Sequence, residues 1–320
     1  MSHQSAALKP LPTDSPQGAS HDPLYRRGVL LVLLAGTLWS TSGVAVRLIG
    51  EASAWQILFW RAVFLVPTAL LLMALLGRRR GQPLQLLRAL CDVGWRGLLG
   101  GLAVSCASIF YVLALQMTTV ANVVFLIATA PFLTALLGLL LLREPVAHAT
   151  WWTMALAFCG VLIMIDGQLT ADSLPGFVLG LVCALCFALF NVSVRAGRAV
   201  EMQPLQLLNG LFLLLISSIA LLWLDVPFEL HGEGLMLCVY MAVLQMGLGG
   251  FLYIRGARHV PAAECSLLAL IEVLLGPLWV WLVVAEVPGE STLIGGGVVL
   301  LAVAIRAALV VRRRPPLRVA

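Results

Sequence analysis

An uncharged and largely apolar run extends from Ala121 to Leu142. A helix of about 20 such residues, rising about 1.5 Å per residue, matches the ~30 Å hydrocarbon core of a bilayer. A strand of a membrane barrel needs only about ten residues and alternates between apolar and polar positions, which this run does not do. The run therefore predicts a membrane-spanning helix.

The rest of the chain has the same character. Of its 320 residues, 61% are hydrophobic and 11% are charged, and the mean hydropathy is +1.01. Soluble domains carry about 25% charged residues, so this composition predicts an all-α integral membrane protein. The seven cysteines lie mostly in apolar runs and are interpreted as packing residues rather than disulfide partners. Ten runs are predicted to span the bilayer: Gly28–Ile49, Trp55–Leu76, Trp95–Gln116, Ala121–Leu142, Trp151–Ile165, Leu174–Val194, Pro204–Leu224, Leu235–Ile254, Ala263–Ala285 and Leu293–Val311.

The charges between the spans indicate how the helices are oriented. Arginines concentrate in every second loop and at both ends of the chain, while the alternate loops carry Asp and Glu, with Arg47 as the basic residue near them. By the positive-inside rule, both termini are predicted to be cytoplasmic, with the protein in a bacterial inner membrane. The net charge of +5 then indicates contact with membrane lipids and calls for no nucleic-acid partner.

The chain also contains an internal repeat. Ala121–Glu144 and Ala263–Glu286 correspond at a spacing of 142 residues, and Tyr111 and Tyr253 precede them at the same spacing. Two halves follow, residues 28–166 and 174–311, between a disordered cytoplasmic tail (1–24) and a basic cytoplasmic tail (312–320). Because each half has five spans, an odd number, the second half enters the membrane from the opposite side. Such inverted repeats are typical of transporters whose site lies near the midplane.

The pattern of Tyr111–Glu144, repeated in Ala263–Glu286, resembles the EamA module of the drug/metabolite transporter superfamily. The resemblance covers about residues 28–311. It implies a ten-helix fold made of two inverted five-helix EamA repeats around one central cavity, and movement of small metabolites without ATP.

Two functions are weighed from these observations. The first is a secondary transporter, with export favoured by the resemblance, that moves small amphipathic metabolites such as amino acids by alternating access. The alternative is a membrane scaffold or lipid-binding regulator that transports nothing. An enzyme is not expected, because the sequence has no phosphate-binding GxxxxGK[ST] loop, no HExxH motif and no cluster of metal-ligating residues. No cofactor or metal is therefore predicted, and the oligomeric state is left open.

Glu272 and Arg61 are the charged residues within the predicted spans that are singled out as candidates for function. An ionisable side chain near the midplane costs about 2.5–3.5 kcal/mol on insertion scales and is usually functional. Apolar surroundings favour the neutral form of a carboxyl group, so Glu272 is interpreted as a proton carrier or a ligand for a substrate amine. The alternatives are a structural pair with Arg61 or a protonated acid hydrogen-bonded to a neighbour. Arg61 either binds a substrate carboxylate or extends to the outer interface.

A further set of aromatic and polar residues is predicted to line the cavity, although Ser, Thr and Asn also hydrogen-bond between helices without any ligand. Pro131 is predicted to kink the fourth span. The equivalent position of the ninth span is Val273, so the kink in that span is predicted at Pro277, one turn later. Glu286 ends its span, where an ion pair or a helix cap is an adequate explanation. The aromatic and polar set comprises Trp39, Ser40, Thr41, Ser42, Tyr111, Asn122, Thr129, Asn191, Gln245 and Tyr253.

Overall fold

The computed structural model describes residues 23–50, 52–79, 86–142, 148–166, 174–197, 202–260, 265, 268–269 and 271–312, and their regular structure is helical. The helices are α1 (Pro23–Trp39), α2 (Ser42–Ile49), α3 (Ala54–Arg79), α4 (Leu86–Met117), α5 (Val120–Ile127), α6 (Ala130–Leu142), α7 (His148–Asp166), α8 (Leu174–Ala196), α9 (Pro204–Trp223), α10 (Glu233–Tyr240), α11 (Gly249–Ala257), α12 (Ile271–Val284) and α13 (Glu290–Arg312), with a π-helix, π1 (Met241–Leu248), between α10 and α11.

These helices form the predicted membrane spans. Within the described residues, seven helical segments are long and apolar enough to cross a membrane, and shorter apolar helices lie in α7, α12 and α13. Together they account for the ten apolar runs, so the prediction of an all-helical membrane protein is confirmed. Most of the predicted N-terminal tail, most of the C-terminal tail and much of the beginning of the ninth run lie outside the described residues, while Pro23 and Leu24, assigned to the tail, begin α1.

One face of α9 shows how the fold meets lipid. Leu211, Leu215, Ile219 and Leu222 recur at helical spacing, and all four are exposed. An exposed apolar stripe of this kind would be unfavourable in water, whereas hydrocarbon solvates it at no cost. The apolar surface is therefore suited to membrane lipids as its surroundings.

The first span is broken between α1 and α2. The Ser40 hydroxyl donates to the carbonyl oxygen of Thr37 at 2.7 Å, and the Thr41 hydroxyl donates to that of Leu38 at 2.8 Å. Side chains that bond to nearby carbonyls in this way compete with helical hydrogen bonds. The interruption separates Trp39, at the end of α1, from Ser42, at the start of α2.

The fourth span is broken near Pro131. Helix α5 ends at Ile127 and α6 begins at Ala130, so Pro131 is the second residue of the new helix. Proline has no N–H group and clashes with the preceding turn, but at the start of a helix the missing donor costs nothing. The prolines differ in their effect, because Pro277 lies inside α12, which continues past it.

The two halves pack against each other according to a pseudo-two-fold relation. Helix α4 of the third span packs on α8 of the sixth, and the equivalent contact joins α11 of the eighth span to α1 of the first. Helices α3 and α9 pack together, as do α7 and α13. These last two contacts each map onto themselves when the halves are exchanged. The contacts therefore have the symmetry that the inverted repeat predicts.

The crossing of α7 and α13 depends on two glycines. A Cβ atom built on Gly160 would lie 2.7 Å from the carbonyl oxygen of Gly295, and one built on Gly295 would collide with the carbonyl oxygen of Gly160. The obstructing atoms are backbone, which cannot move aside as a flexible side chain can. Small residues let membrane helices approach this closely, and here they bring the fifth and tenth spans into backbone contact.

Candidate functional site

A cavity lies between the two halves of the chain. Its empty volume is about 710 Å³ with its opening included, and each half contributes eight of its lining residues. The lining residues are Trp39, Ser42, Arg61, Val104, Ala107, Ser108, Tyr111, Ile127, Cys183, Phe187, Phe190, Gln206, Gln245, Met246, Gly250 and Glu272.

The lining follows the repeat in position but not in chemistry. Val104 and Met246 are 142 residues apart, as are Ser108 and Gly250, and each pair occupies equivalent places in the third and eighth spans. Among the described residues that line the cavity, Arg61 and Glu272 are the charged ones. Glu272 is equivalent to Ala130 in the first half. The charges are therefore where the two halves of the wall differ most.

Arg61 lies on α3 and is directed into the fold. Its residue is only 2% exposed, which excludes the predicted alternative of extension to the outer interface. Its Nε and Nη2 atoms are buried, and no hydrogen-bond acceptor is present for them among the described residues. An arginine cannot shed its proton at any ordinary pH, so a positive charge with unsatisfied N–H groups borders the cavity.

Glu272 is the second residue of α12 and borders the same cavity. Its side chain is partly exposed. The carboxyl group has neither a hydrogen bond nor an ion pair to any residue that the structure describes, and the ion pair present in those residues joins Arg47 to Glu286. The predicted alternative of a structural pair between Glu272 and Arg61 is therefore not found.

Tyr111 lines the same cavity as these two charged residues. It lies on α4, close enough to both Arg61 and Glu272 to interact with their charges through space. Its hydroxyl group shares a hydrogen bond of 2.6 Å with the Ser42 hydroxyl. This contact fixes the ring where α2 and α4 meet, and it places a polar group on the wall close to both charged side chains.

An aromatic cluster forms another part of the wall. The rings of Trp39 and Phe187 meet edge to face at 6.0 Å, and Phe187 lies 5.7 Å from Phe190. Tyr253 packs behind Trp39 at 5.0 Å. Such contacts stabilise a rigid apolar surface. The indole Nε1 of Trp39 is buried and has no acceptor within the described part of the chain.

Two glutamines complete the wall on the side of π1. Gln245 lies in π1 and donates from Nε2 to the carbonyl oxygen of Trp39 at 3.3 Å, while its Oε1 is buried and receives no hydrogen bond from the residues described. Gln206, which the sequence interpretation missed, donates to the carbonyl oxygen of Met246 at 2.7 Å. A π-helix is wider than an α-helix and often marks a functional position.

The remaining predicted residues lie behind the wall, among them Thr41, whose hydroxyl shares a hydrogen bond of 2.8 Å with that of Tyr240. Ser40 accepts a hydrogen bond from Trp279 Nε1 at 3.1 Å, and Asn122 accepts one from the Thr292 hydroxyl at 2.7 Å. Asn191 accepts one from the Tyr253 hydroxyl at 3.0 Å, and the Thr129 hydroxyl donates to the carbonyl oxygen of Leu126 at 2.6 Å. Except for Thr129, these side chains bond across helices, which is the alternative role that the sequence left open.

Some of the missed lining residues had a detectable signal. Val104, Ala107, Ser108 and Tyr111 follow one another at intervals of three, one and three residues, so they lie on one face of α4. The prediction of Tyr111 as a lining residue therefore predicts the other three. No comparable signal was available for Gln206, which lies at the start of α9.

An ion pair joins the halves at the ends of α2 and α12. Arg47 donates from Nε to Glu286 at 2.7 Å, and its Nη1 and Nη2 groups donate to the carbonyl oxygens of Leu115 and Thr118 at 2.7 and 2.8 Å. Glu286 also accepts from the backbone N–H of Val120 at 2.8 Å. The predicted role of Glu286 in a pair or cap is thus present in both forms, and four chain segments meet at this point.

Comparison with known proteins gives a uniform result. The sequence model of the EamA-like transporter family matches residues 26–166 and again residues 174–307. The pseudopaline exporter CntI of Pseudomonas aeruginosa (strain UCBPP-PA14) is 27% identical over 288 residues, covering 87% of this chain and 95% of its own. The uncharacterized transporter YwfM of Bacillus subtilis (strain 168) is 25% identical, covering 85% and 90%. One solved crystal structure is similar with a TM-score of 0.68 at 18% identity, covering 89% of this chain and 99% of that one.

Proposed function

The chain belongs to the EamA-like transporter family, and from this premise we propose that it exports small amphipathic metabolites, such as amino acids, by alternating access between its two halves. It is a multi-pass membrane protein. In this proposal it lies in the inner membrane of a bacterium with both termini in the cytoplasm, because the arginine-rich loops mark that side.

The observation that carries the proposal is the cavity between the halves. It is bordered by the charges of Arg61 and Glu272, which have no partner among the described residues, and by an aromatic surface. Ionisable groups inside a membrane protein are costly and usually mark a substrate or ion pathway. A scaffold gains nothing from a cavity with unsatisfied charges, so the transporter is favoured over the alternative.

Alternating access is supported by the symmetry of the packing. Because the contacts between the halves map onto one another when the halves are exchanged, exchanging their roles gives a second arrangement built from the same kinds of contact. Two arrangements of nearly equal free energy are what a transporter needs to open to each side in turn. The similar protein CntI is named as an exporter, which supports export as the direction of transport.

The proposal predicts that a bulky residue at Ser108 blocks transport. Ser108 lines the cavity, and its hydroxyl makes no hydrogen bond to the residues described, so a tryptophan there fills space without breaking a polar contact. Purified full-length protein in liposomes is expected to take up one class of labelled metabolite saturably, with Ser108→Trp reduced to the level of empty liposomes. The matched control, Ser108→Ala, is expected to retain uptake.

The same preparation distinguishes the alternatives. Uptake that Ser108→Trp leaves unchanged would place the pathway elsewhere. No uptake of any amino acid or related metabolite by folded protein would favour a scaffold or lipid-binding role. An imposed pH gradient separates proton-coupled transport from facilitated diffusion, because only the former is accelerated by the gradient.

A further inference from the structure

We propose that the cavity binds a substrate that carries a carboxylate and a protonated amine together, with Arg61 binding the carboxylate and Glu272 binding the amine. The inference rests on the proposed transport function and names the chemical class of the substrate. It depends on the burial of Arg61, the lack of any bond to Glu272 in the described residues, and the shared cavity.

The first step is the state of the Arg61 guanidinium. Burying a charge without a partner is strongly unfavourable, and two of the nitrogen atoms of Arg61 are buried without an acceptor among the residues described. Neutralisation is not open to an arginine. The planar fork of N–H donors matches a carboxylate, which accepts two parallel hydrogen bonds from it. A carboxylate entering the cavity therefore satisfies donors that the described protein residues leave unsatisfied.

The second step is the absence of an ion pair between the two side chains. Arg61 and Glu272 border one cavity, yet no bond of 4.0 Å or less joins them, whereas Arg47 and Glu286 do form such a bond. If the two charges existed only to neutralise each other, a direct contact would be the favourable arrangement. Because they do not pair, the acceptor of Glu272 and the donors of Arg61 are both open to the shared cavity, and one dipolar molecule bound there satisfies both.

The third step is the charge of the occupied cavity. An arginine and a glutamate with a zwitterion between them form two opposite-charge pairs and have no net charge. An anion alone would leave Glu272 without a donor, and an amine alone would leave Arg61 without an acceptor. Because an unsatisfied charged group at the cavity carries a penalty, which is largest for the buried Arg61, the zwitterion is favoured over either singly charged analogue.

The aromatic surface indicates what the rest of the substrate is like. Phe187 and Phe190 border the cavity along with Trp39, and both lie on α8. Apolar surface of this kind contributes binding free energy in proportion to the apolar area it covers. The class that fits is an amino acid, or a compound built like one, with an apolar side chain.

Binding to the full-length protein in detergent tests this inference without requiring transport. The probes are the proteinogenic L-amino acids, followed by the tightest binder's analogues without the amine and without the carboxylate; for leucine these are 4-methylpentanoate and 3-methylbutylamine. Wild type is expected to bind the amino acid about 10- to 100-fold more tightly than either analogue, the factor expected for a hydrogen-bonded charge.

Two variants are expected to give opposite results. Glu272→Gln should lower the affinity for the amino acid to that of wild type for the amine-free analogue. The affinity for the amine-free analogue itself should not change. Arg61→Met should lower the affinity for the amino acid to that of wild type for the carboxylate-free analogue. The affinity for the carboxylate-free analogue itself should not change. Glu290→Gln and Arg26→Met remove the same charges from exposed positions and should change none of the affinities.

Several results would overturn the inference. They are binding of no amino acid at millimolar concentration, equal affinity for all three probes, and an equal loss for all probes in both variants. A Glu272→Gln variant that abolishes only the effect of a pH gradient would assign Glu272 to proton transfer instead. Saturable uptake of a singly charged metabolite, blocked by Ser108→Trp, would overturn the zwitterion while retaining transport. The predicted binding pattern, found without uptake of any compound, would retain the zwitterion site and overturn the proposed transport.

Discussion

Gly295→Leu is expected to yield little folded protein, because the α7–α13 crossing has no room for a side chain at this position. The added atoms would meet the carbonyl oxygen of Gly160 and the backbone N–H of Met164. Overpacking a core usually costs about 1–3 kcal/mol, and a collision with backbone places this substitution at the upper end of that range or beyond it. The two helices would have to separate along the whole crossing.

A matched control lies two residues away on the same helix. A Cβ atom on Gly297 would have no neighbour within 4 Å, and this residue is exposed. Gly297→Leu adds the same atoms to the same helix and is expected to behave like wild type. Size-exclusion profiles and thermal unfolding of the detergent-purified proteins make the comparison. Equal behaviour of the two variants would show that the helices do not cross as closely as described.

Glu286→Gln is expected to increase access to the cavity from the side on which Arg47 lies. The substitution removes the charge that joins the end of α12 to α2 and to the start of α5. Hydrogen bonds to charged groups contribute about 1.5–3 kcal/mol, but the two side chains are 26% and 21% exposed, so solvent screening reduces the value. A loss of about 1 kcal/mol shifts the open population about fivefold.

Cys183 provides a natural reporter for this change, since it lines the cavity and is buried. A variant that retains only this cysteine can be labelled in oriented vesicles with a membrane-impermeant maleimide. The labelling rate from the side of Arg47 is expected to rise about fivefold in Glu286→Gln. Glu229→Gln, which removes an exposed acid from a loop, is expected to leave it unchanged. A rate that does not respond to Glu286→Gln would show that the ion pair does not control opening.

The membrane fold could be predicted from the sequence because it depends on run length. A span requires about 20 apolar residues, and this signal does not depend on which way each helix faces. The repeat of Tyr111 at Tyr253 then indicated the symmetry. The positions at which helices are interrupted were harder to predict. Pro131 indicated a break in the fourth span, but nothing in the apolar residues around Met241 indicated a π-helix.

The cavity could be predicted only in part, for a physical reason. A helix of a soluble protein shows its buried face by contrast with a polar face, whereas a membrane helix is apolar all round and gives no such contrast. Arg61 and Glu272 were recognisable because a charge is costly in any apolar setting. Asn122 and Asn191 were not distinguishable from lining residues, because an amide can hydrogen-bond to another helix as readily as to a ligand.

The contacts of α3 with α9 and of α7 with α13 have a mechanical consequence. Each maps onto itself when the halves exchange roles, so the alternation between two arrangements that we propose would need no new helix partner at either contact. A contact that maps onto itself lies on the pseudo-two-fold axis, so both contacts are common to the two proposed arrangements. The backbone contact of Gly160 with Gly295 is therefore expected to persist in both arrangements, while the contacts around the cavity change.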